Sequence, residues 1–405
     1  MRGKTVLFVG AGRHQRRAIG RVQELGVRVV AVDGNPAAAA LASADVGEVV
    51  DFTDLDAVAG VGRAHSVDGV MTVAADRAVP VVAAVAERLG LPGIGAETAH
   101  LATNKIAMRR VFAERGVPQP HFAGVRLFPE VKAAARAVGF PAVLKPADSA
   151  GQRGIFLVHS ADELAAQLVL TLAASPGGEA IVERYHEGRE VNTLLVARDG
   201  EVQLVTASDR IRPEGAGFGV ALAHLYPSTL FGDALAELER VAIAAVRAIG
   251  LRNGVAYPQL LVSPRENEVL AVEIAARIPA GQMDEVPRFG VGIDLVEIAV
   301  RQALGEEVPD ELVTPRFQQP LAIRFLTSGP GPLPTGVVRA VGPLDKALAF
   351  PGVERVDAWI KPGETIRPVQ TDGDRRGYVI ALGETNLEAL ERADAASRLI
   401  DVLTE

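Results

Sequence analysis

The chain has 405 residues, 48% hydrophobic and 23% charged, and its apolar mass lies in Ala, Val, Leu and Ile with only 4% aromatics, which suits buried parallel strands and excludes extended disorder. It contains no cysteine, so disulfides, a thiolate nucleophile and thiolate-ligated zinc or iron–sulfur centres are excluded. A formal net charge of −8 without a basic tract argues against nucleic acid as a partner, and charges or Gly/Pro break every apolar run short of a membrane span, so a soluble, cytoplasmic protein is expected.

In chain order, Thr5–Val9 reads as a strand ending in Gly10-Ala-Gly12, and Ala18–Leu25 as a helix stopped by Gly26. Val27–Val32, Val46–Phe52 and Val67–Val73 read as further strands, and Val79–Leu89 as a helix ended by Gly90-Leu-Pro-Gly93. This alternation implies a parallel, doubly wound sheet. From Thr98 the texture changes. Thr103-Asn-Lys105 opens a helix through Arg115, and Phe140–Pro146 is a strand followed by the small-residue loop Asp148–Gly154. Strand Ile155–Val158 and helix Ala161–Leu172, capped by Ser160, come next, then strand Ala180–Arg184. Glu190–Ala197 and Val202–Ala207 flank the turn Arg198-Asp-Gly-Glu201, a hairpin signal. A long helix, Leu235–Ile249, precedes a second hairpin of Gly254–Val262 and Glu268–Ile274. From about Arg316 the chain is rich in Gly/Pro turns and short strands, and it closes with a helix from Asn386 to Val402. These shifts divide the chain into residues 1–97, 98–310 and 311–405.

Gly10-Ala-Gly12, with Asp33 closing the next strand, superficially fits a dinucleotide-binding turn, but Gln15 stands where that pattern requires a third Gly. A tight turn at the carboxyl end of a first strand is the plainer reading. The middle of the chain is more specific. Lys105 starts a helix, and Lys145 ends an apolar strand where a buried ammonium must be paired. Phosphate oxygens are a natural partner, and Ser149, Gly151, Gln152 and Gly154 belong to a loop that lets backbone N–H groups approach phosphates closely. The strand and Gly-containing turn from Ile181 to Glu190 can present backbone groups to an adenine edge, with Glu190 accepting from ribose hydroxyls. On the second hairpin, Gln259 and Glu273 supply oxygen ligands on adjacent strands, suited to Mg²⁺ with nucleotide phosphates. Arg277 suits charge neutralisation in phosphoryl transfer; a plain surface pair between Glu273 and Arg277 is the alternative.

With these pieces in order, the chain resembles the ATP-grasp superfamily of ADP-forming ligases, over nearly all of its length. The resemblance is carried by Asn104-Lys105, by Pro141-Ala-Val-Leu-Lys145-Pro146 and its loop, by Val182-Glu183…Gly188-Arg-Glu190, and by Glu273-Ile-Ala-Ala-Arg277-Ile-Pro-Ala-Gly281. The first unit, with Asp33-Gly-Asn-Pro36 and Gly90-Leu-Pro-Gly93, looks like the pre-ATP-grasp domain of carboxylate–amine ligases. The last, with Arg324 and Phe350-Pro-Gly-Val353, resembles the lid of the amino-acid ligase branch. The resemblance implies an α/β fold with an N-terminal parallel-sheet domain, a two-lobed ATP-grasp core and a C-terminal α+β lid.

It also implies roles. Lys105 and Lys145 would contact ATP phosphates under the 149–154 loop, backbone atoms from Glu183 through Tyr185 to His186 would hold adenine, and Glu190 the ribose. Glu273 would ligate Mg²⁺, and Arg277 would stabilise the acyl-phosphate and the tetrahedral state. His224 and Gly281, with Arg277, are candidates for substrate binding. Two positions depart from the family pattern: Gln259 replaces a carboxylate, and Ala275 stands where Asn is usual, as in the purine-synthesis branch. The expected function is an ATP- and Mg²⁺-dependent carboxylate–amine (or carboxylate–thiol) ligase acting on amino acids or other small carboxylates, with a homodimer common among relatives. The rival readings are a purine-synthesis-like ligase using bicarbonate or formate, a nucleotide-binding protein without ligase activity, and a dehydrogenase, which has no account of Lys105, Lys145 and Glu273.

Overall fold

Val6 to Val9 and Val29 to Val32 are entirely shielded from solvent, because both faces of the first sheet are covered. The computed structural model describes residues 1–149, 151–212, 218–265 and 268–405; Ala150 of the small-residue loop, residues 213–217, and Glu266 and Asn267 of the second hairpin's turn lie outside the described residues. The first sheet contains β1 (Thr5–Val9), β2 (Arg28–Asp33), β3 (Val46–Val49) and β4 (Gly69–Met71), all parallel in the order β3-β2-β1-β4. Helix α1 (Arg16–Glu24) connects β1 to β2, α2 (Leu55–Ala64) connects β3 to β4, and α3 (Val79–Leu89) follows β4. Val6, Phe8, Val29 and Ala31 pack with Ile19 and Val22 of α1, whereas Leu7, Val9, Val30 and Val32 pack with Val58 of α2 and Val81 and Val85 of α3. Both β3 and β4 are shorter than the apolar runs that contain them.

Helices α4 (Ala96–Thr103) and α5 (Lys105–Glu114) lead to β5 (Phe122–Val125), α6 (Val131–Val138), β6 (Ala142–Pro146), β7 (Phe156–Val158), α7 (Ala161–Ala173) and β8 (Ala180–Arg184). The four strands form an antiparallel sheet ordered β5-β8-β6-β7. Ala142, Leu144, Ala180 and Val182 pack beneath α6 and α7. The two-residue period of a strand therefore puts Val143, Lys145, Ile181 and Glu183 on the opposite face, towards α5.

The largest sheet is built from β9 (Arg189–Arg198), β10 (Glu201–Ile211), β11 (Ala223–Tyr226), β12 (Gly254–Val262) and β13 (Val269–Ala275), with α8 (Gly232–Ala248) packed on it. Helices α9 (Glu285–Gly290), α10 (Leu295–Ala303) and α11 (Asp310–Val313) follow, then β14 (Leu321–Phe325), β15 (Gly336–Val341), α12 (Asp345–Leu348), β16 (Val353–Ala358), β17 (Thr365–Ile366), β18 (Gly377–Leu382), α13 (Asn386–Ser397) and β19 (Val402–Thr404). The sheet order β13-β12-β9-β10-β11-β14-β18-β16 shows that strands after residue 311 extend the same sheet as the middle of the chain. The closing helix is shorter than its expected Asn386–Val402 span. It ends at Ser397, and the β-branched Val402 and Thr404 pair with β15 instead. Among the described residues, no helix is long and apolar enough to cross a membrane.

Candidate active site

Asn104 caps α5, its side chain accepting from Ala107 N–H at 3.0 Å, and so fixes the helix start that carries Lys105. Lys105 Nζ donates to the Ser149 carbonyl at 2.8 Å and lies 3.2 Å from Glu273 Oε1. Lys145 reaches the same region from β6, with its Nζ 2.8 Å from Glu183 Oε2. The other oxygen of Glu183 accepts from Arg109 Nε at 2.8 Å. This trio is buried. Burial alone would push the Glu183 carboxyl up; Arg109 and Lys145 more than reverse that and hold it at about 2. Burial also holds the Lys145 ammonium below the ordinary lysine range, against the opposing pull of Glu183. Asn104, Lys105, Ser149, Asp148, Asp76 and Glu273 line a 340 Å³ cavity. A larger open groove of 590 Å³, lined by Arg115 at the end of α5 and by Arg240 and Arg247 of α8, contains none of these groups.

Glu273 faces Gln259 across the β12–β13 ladder, as the sequence pattern leads one to expect. The register then slips, with Leu260 opposite Ala271, so Val272 is the extra residue of a bulge. Arg109 braces that bulge, donating to the carbonyls of Ala271 and Val272 at 2.6 Å each. Gln259 Oε1 accepts from Arg210 Nη1 at 3.1 Å. The plain Glu273–Arg277 pair is not the arrangement found. Arg277 binds Asp76 instead, with Nη2 2.5 Å from Oδ1. Burial raises the Asp76 carboxyl, and Arg277 more than offsets it, leaving the group below its usual range. The bridge of Val73 to Ile278, with Ala74 N–H on the Ile278 carbonyl at 2.9 Å, docks the first sheet beside this arginine.

The remaining expected residues surround these groups. Gly151, Gln152 and Gly154 all have left-handed backbone, at φ 76°, 61° and 68°. The Glu183 side chain is committed to its two cations, so only its backbone remains for a base edge. Tyr185 N–H donates to the Pro141 carbonyl at 3.1 Å, and the buried His186 Nε2 has no hydrogen-bond partner among the described residues. Glu190 is engaged by Arg212 at 2.8 Å and Arg210 at 3.3 Å. His224 is buried, with Nδ1 3.0 Å from Asn192 Nδ2 and its ring edge-on to Phe325. Burial, with Arg210 and Arg375 adding repulsion, holds the His224 ring well below the ordinary histidine range. Gly281, at φ +74°, turns the chain against this cluster, where an added Cβ would meet Phe325 at 3.4 Å and His224 Nε2 at 3.8 Å.

Sequence reasoning did not single out Arg109, Asp76, Asn192 or Arg375. A signal existed for Arg109: with Lys105 and Phe112 it occupies i, i+4 and i+7 of one buried helical stripe, where a charge needs partners. Asp76 and Asn192 bind residues far away in the sequence, Arg277 and His224, and Arg375 joins the nearby Asp372 to the distant Ala221 carbonyl.

For Mg²⁺, the donor set fits on one side. Glu273 lines the cavity and is partly exposed, so its carboxylate suits a hard divalent ion whose other oxygens come from phosphate. Among the described residues there is no cluster of three His, Asp or Glu that would enclose an ion unaided.

Comparison with known proteins places this arrangement. The family described as carbamoyl-phosphate synthase L chain, ATP binding domain matches residues 104–311, flanked by the ATP-grasp N-terminal domain over residues 21–93 and the L-amino acid ligase C-terminal domain 2 over residues 331–405. The chain belongs to the ATP-grasp superfamily of ADP-forming ligases. It is similar to the formate-dependent phosphoribosylglycinamide formyltransferase of Ignicoccus hospitalis, with 27% identity over 98% of this chain and 96% of the relative. Its fold matches the L-amino acid ligase of Bacillus licheniformis with a TM-score of 0.83 at 18% identity, covering 100% of both chains. The biotin carboxylase domain of Hydrogenobacter thermophilus 2-oxoglutarate carboxylase, solved with MgADP, ADP and bicarbonate, matches with a TM-score of 0.79 at 19% identity, over 99% of this chain and 90% of that one.

Proposed function

We propose that the chain is an ATP-dependent carboxylate–amine ligase, which phosphorylates a small carboxylate and joins it to an amine with release of ADP and phosphate. The observation that carries this reading is the convergence of Lys105 and Glu273, from α5 and β13, on one cleft, with the buried Lys145 of β6 near enough to feel both charges. Lys105 and Lys145 bind the phosphates of ATP, and Ser149 and residues 151–154 cover them. Glu273 holds the Mg²⁺, which when bound neutralises phosphate charge. The backbone from Glu183 to His186 receives the adenine. Glu190 is placed for the ribose, although Arg210 and Arg212 share its oxygens.

Arg277, oriented by Asp76, offers its charge to the carboxylate oxygen that attacks phosphorus and then to the oxyanion formed when the amine adds. No protein nucleophile is needed, in keeping with a chain that lacks cysteine. His224 and Gly281 line the acid or amine side. An amino acid is the substrate class favoured by the L-amino acid ligase match of residues 331–405. The full-length similarity to a formate-dependent formyltransferase favours a second reading, formate activation with a ribonucleotide amine.

The test is product analysis with ATP, Mg²⁺ and divided pools of amino acids, against formate plus an aminated ribonucleotide. ADP and phosphate released only with amino-acid pools support the first reading, and release only with formate the second. AMP in place of ADP would overturn the acyl-phosphate route.

A further inference from the structure

Gln259 and Glu273 stand opposite each other on β12 and β13, so the hairpin offers one carboxylate and one amide where an ion could be shared. Divalent ions of the magnesium type take hard, preferably anionic oxygens. The amide oxygen here is already used, because it accepts from Arg210 Nη1 at 3.1 Å. Arg210 is no passing surface cation. Its side chain is 5% exposed, its Nη2 donates to the Gly219 carbonyl at 2.7 Å, and Glu190 Oε2 lies 3.3 Å from its Nε. Arg212 steadies Glu190 from the other side at 2.8 Å. The guanidinium is therefore held from three directions. A divalent ion at the Gln259 oxygen would have this desolvated cation as its immediate neighbour, and repulsion between like charges in a buried site opposes that.

Resting on the ligase reading above, we propose that Arg210 is a built-in cation on the Gln259 side of the site and that the chain binds a single divalent ion, at Glu273, with its nucleotide. A fixed guanidinium needs no recruitment from solution and no reorganisation when charge develops on a phosphate. The charge balance agrees: one ion and one arginine serve a site with a single carboxylate on the hairpin.

The probe is Mn²⁺, counted by electron paramagnetic resonance of the free ion, with full-length protein saturated in a non-hydrolysable ATP analogue. One Mn²⁺ per chain is expected for the wild type; two would overturn the proposal. The double variant Arg210→Met/Gln259→Glu presents facing carboxylates with no guanidinium between them, and it is expected to take a second Mn²⁺. A count of one in that variant, folded by circular dichroism, would overturn the part assigned to Arg210. Should that variant not fold, Gln259→Glu alone serves: its new carboxylate pairs with Arg210, so the count stays at one, and a count of two overturns the proposal. Failure of the wild type to bind the analogue, seen by fluorescence titration, would instead overturn the ligase reading on which the count depends.

Discussion

Glu183 has almost no contact with water and two cations for company, which makes it sensitive to acid. Its carboxyl sits at about 2 when folded, against an ordinary value near 4.5. The unfolded chain therefore binds the proton more readily between those values. The stabilisation from this group is fully present above pH 4.5 and is lost as pH falls towards 2. Glu183→Gln is expected to lower stability at neutral pH by about 3–5 kcal/mol, by stranding two buried cations. It should also flatten the acid limb in that window, as thermal unfolding followed against pH would reveal. At Glu273 the expectation is the reverse: Glu273→Ala keeps the fold, because the side chain is partly exposed, yet abolishes ADP release in a coupled assay. Lys145→Ala should weaken ATP binding by about 1.5–3 kcal/mol, the worth of a charge-assisted bond to phosphate. Unchanged affinity in a calorimetric titration would remove Lys145 from the nucleotide site.

At the scale of elements, the bulge in β13 and the helix α5 act as one piece. Arg109 on α5 holds the carbonyls of Ala271 and Val272, and Lys105 one turn earlier meets Glu273 just beyond them. Arg109→Met breaks a buried ion pair and frees two carbonyls, so a loss of about 3–5 kcal/mol is expected. Arg109→Lys keeps the charge but lacks the planar fork, and its melting temperature should fall between the two. Equal melting of both variants would show that the planar fork, and not the charge, is what counts there. The sequence made the strands that carry Lys145, Glu183, Gln259 and Glu273 legible, because apolar runs bounded by Gly and Pro mark them. It does not mark α2, α4, α6, α9, α10, α11, β5 or β11 as plainly. Two of these had a signal: Asp54 and Asp294 cap α2 and α10 by accepting from two backbone N–H groups each. β5 has only four residues, and no side chain caps α6, so neither carries a strong local mark. Asp76 and Asn192 are hidden for a different reason, since their partners, Arg277 and His224, lie on distant segments that only the folded sheets bring together.

Across the whole molecule, charges tie the three parts of the chain at one junction. Arg17 of α1 pairs with Asp284 and with the fully buried Glu285, and Arg355 of β16 reaches Glu285 from the other side at 3.3 Å. Asp284 and Glu285 follow directly on the loop that carries Arg277 and Gly281, so this junction sets where that loop stands. Beside it, Trp359 packs edge-on to His14 at 5.3 Å, lies under the Arg13 guanidinium at 5.3 Å, and touches Tyr378 at 5.8 Å. It is the chain's single tryptophan, so intrinsic fluorescence selectively reports the contact between the first sheet's Gly10–Gln15 turn and the C-terminal strands. In Arg17→Ala, Glu285 keeps Arg355 as its one ion-pair partner among the described residues, and the N-terminal sheet loses one charged hold on the rest while Arg21–Asp294 and Asp76–Arg277 remain. The fluorescence transition on heating is then expected to precede the transition in far-ultraviolet circular dichroism, whereas the two coincide in the wild type. Coincident transitions in Arg17→Ala, at a lowered midpoint, would mean that the junction stabilises the molecule as one cooperative unit; an unchanged midpoint would mean that the apolar contact of the first sheet with α10 holds the parts together without it.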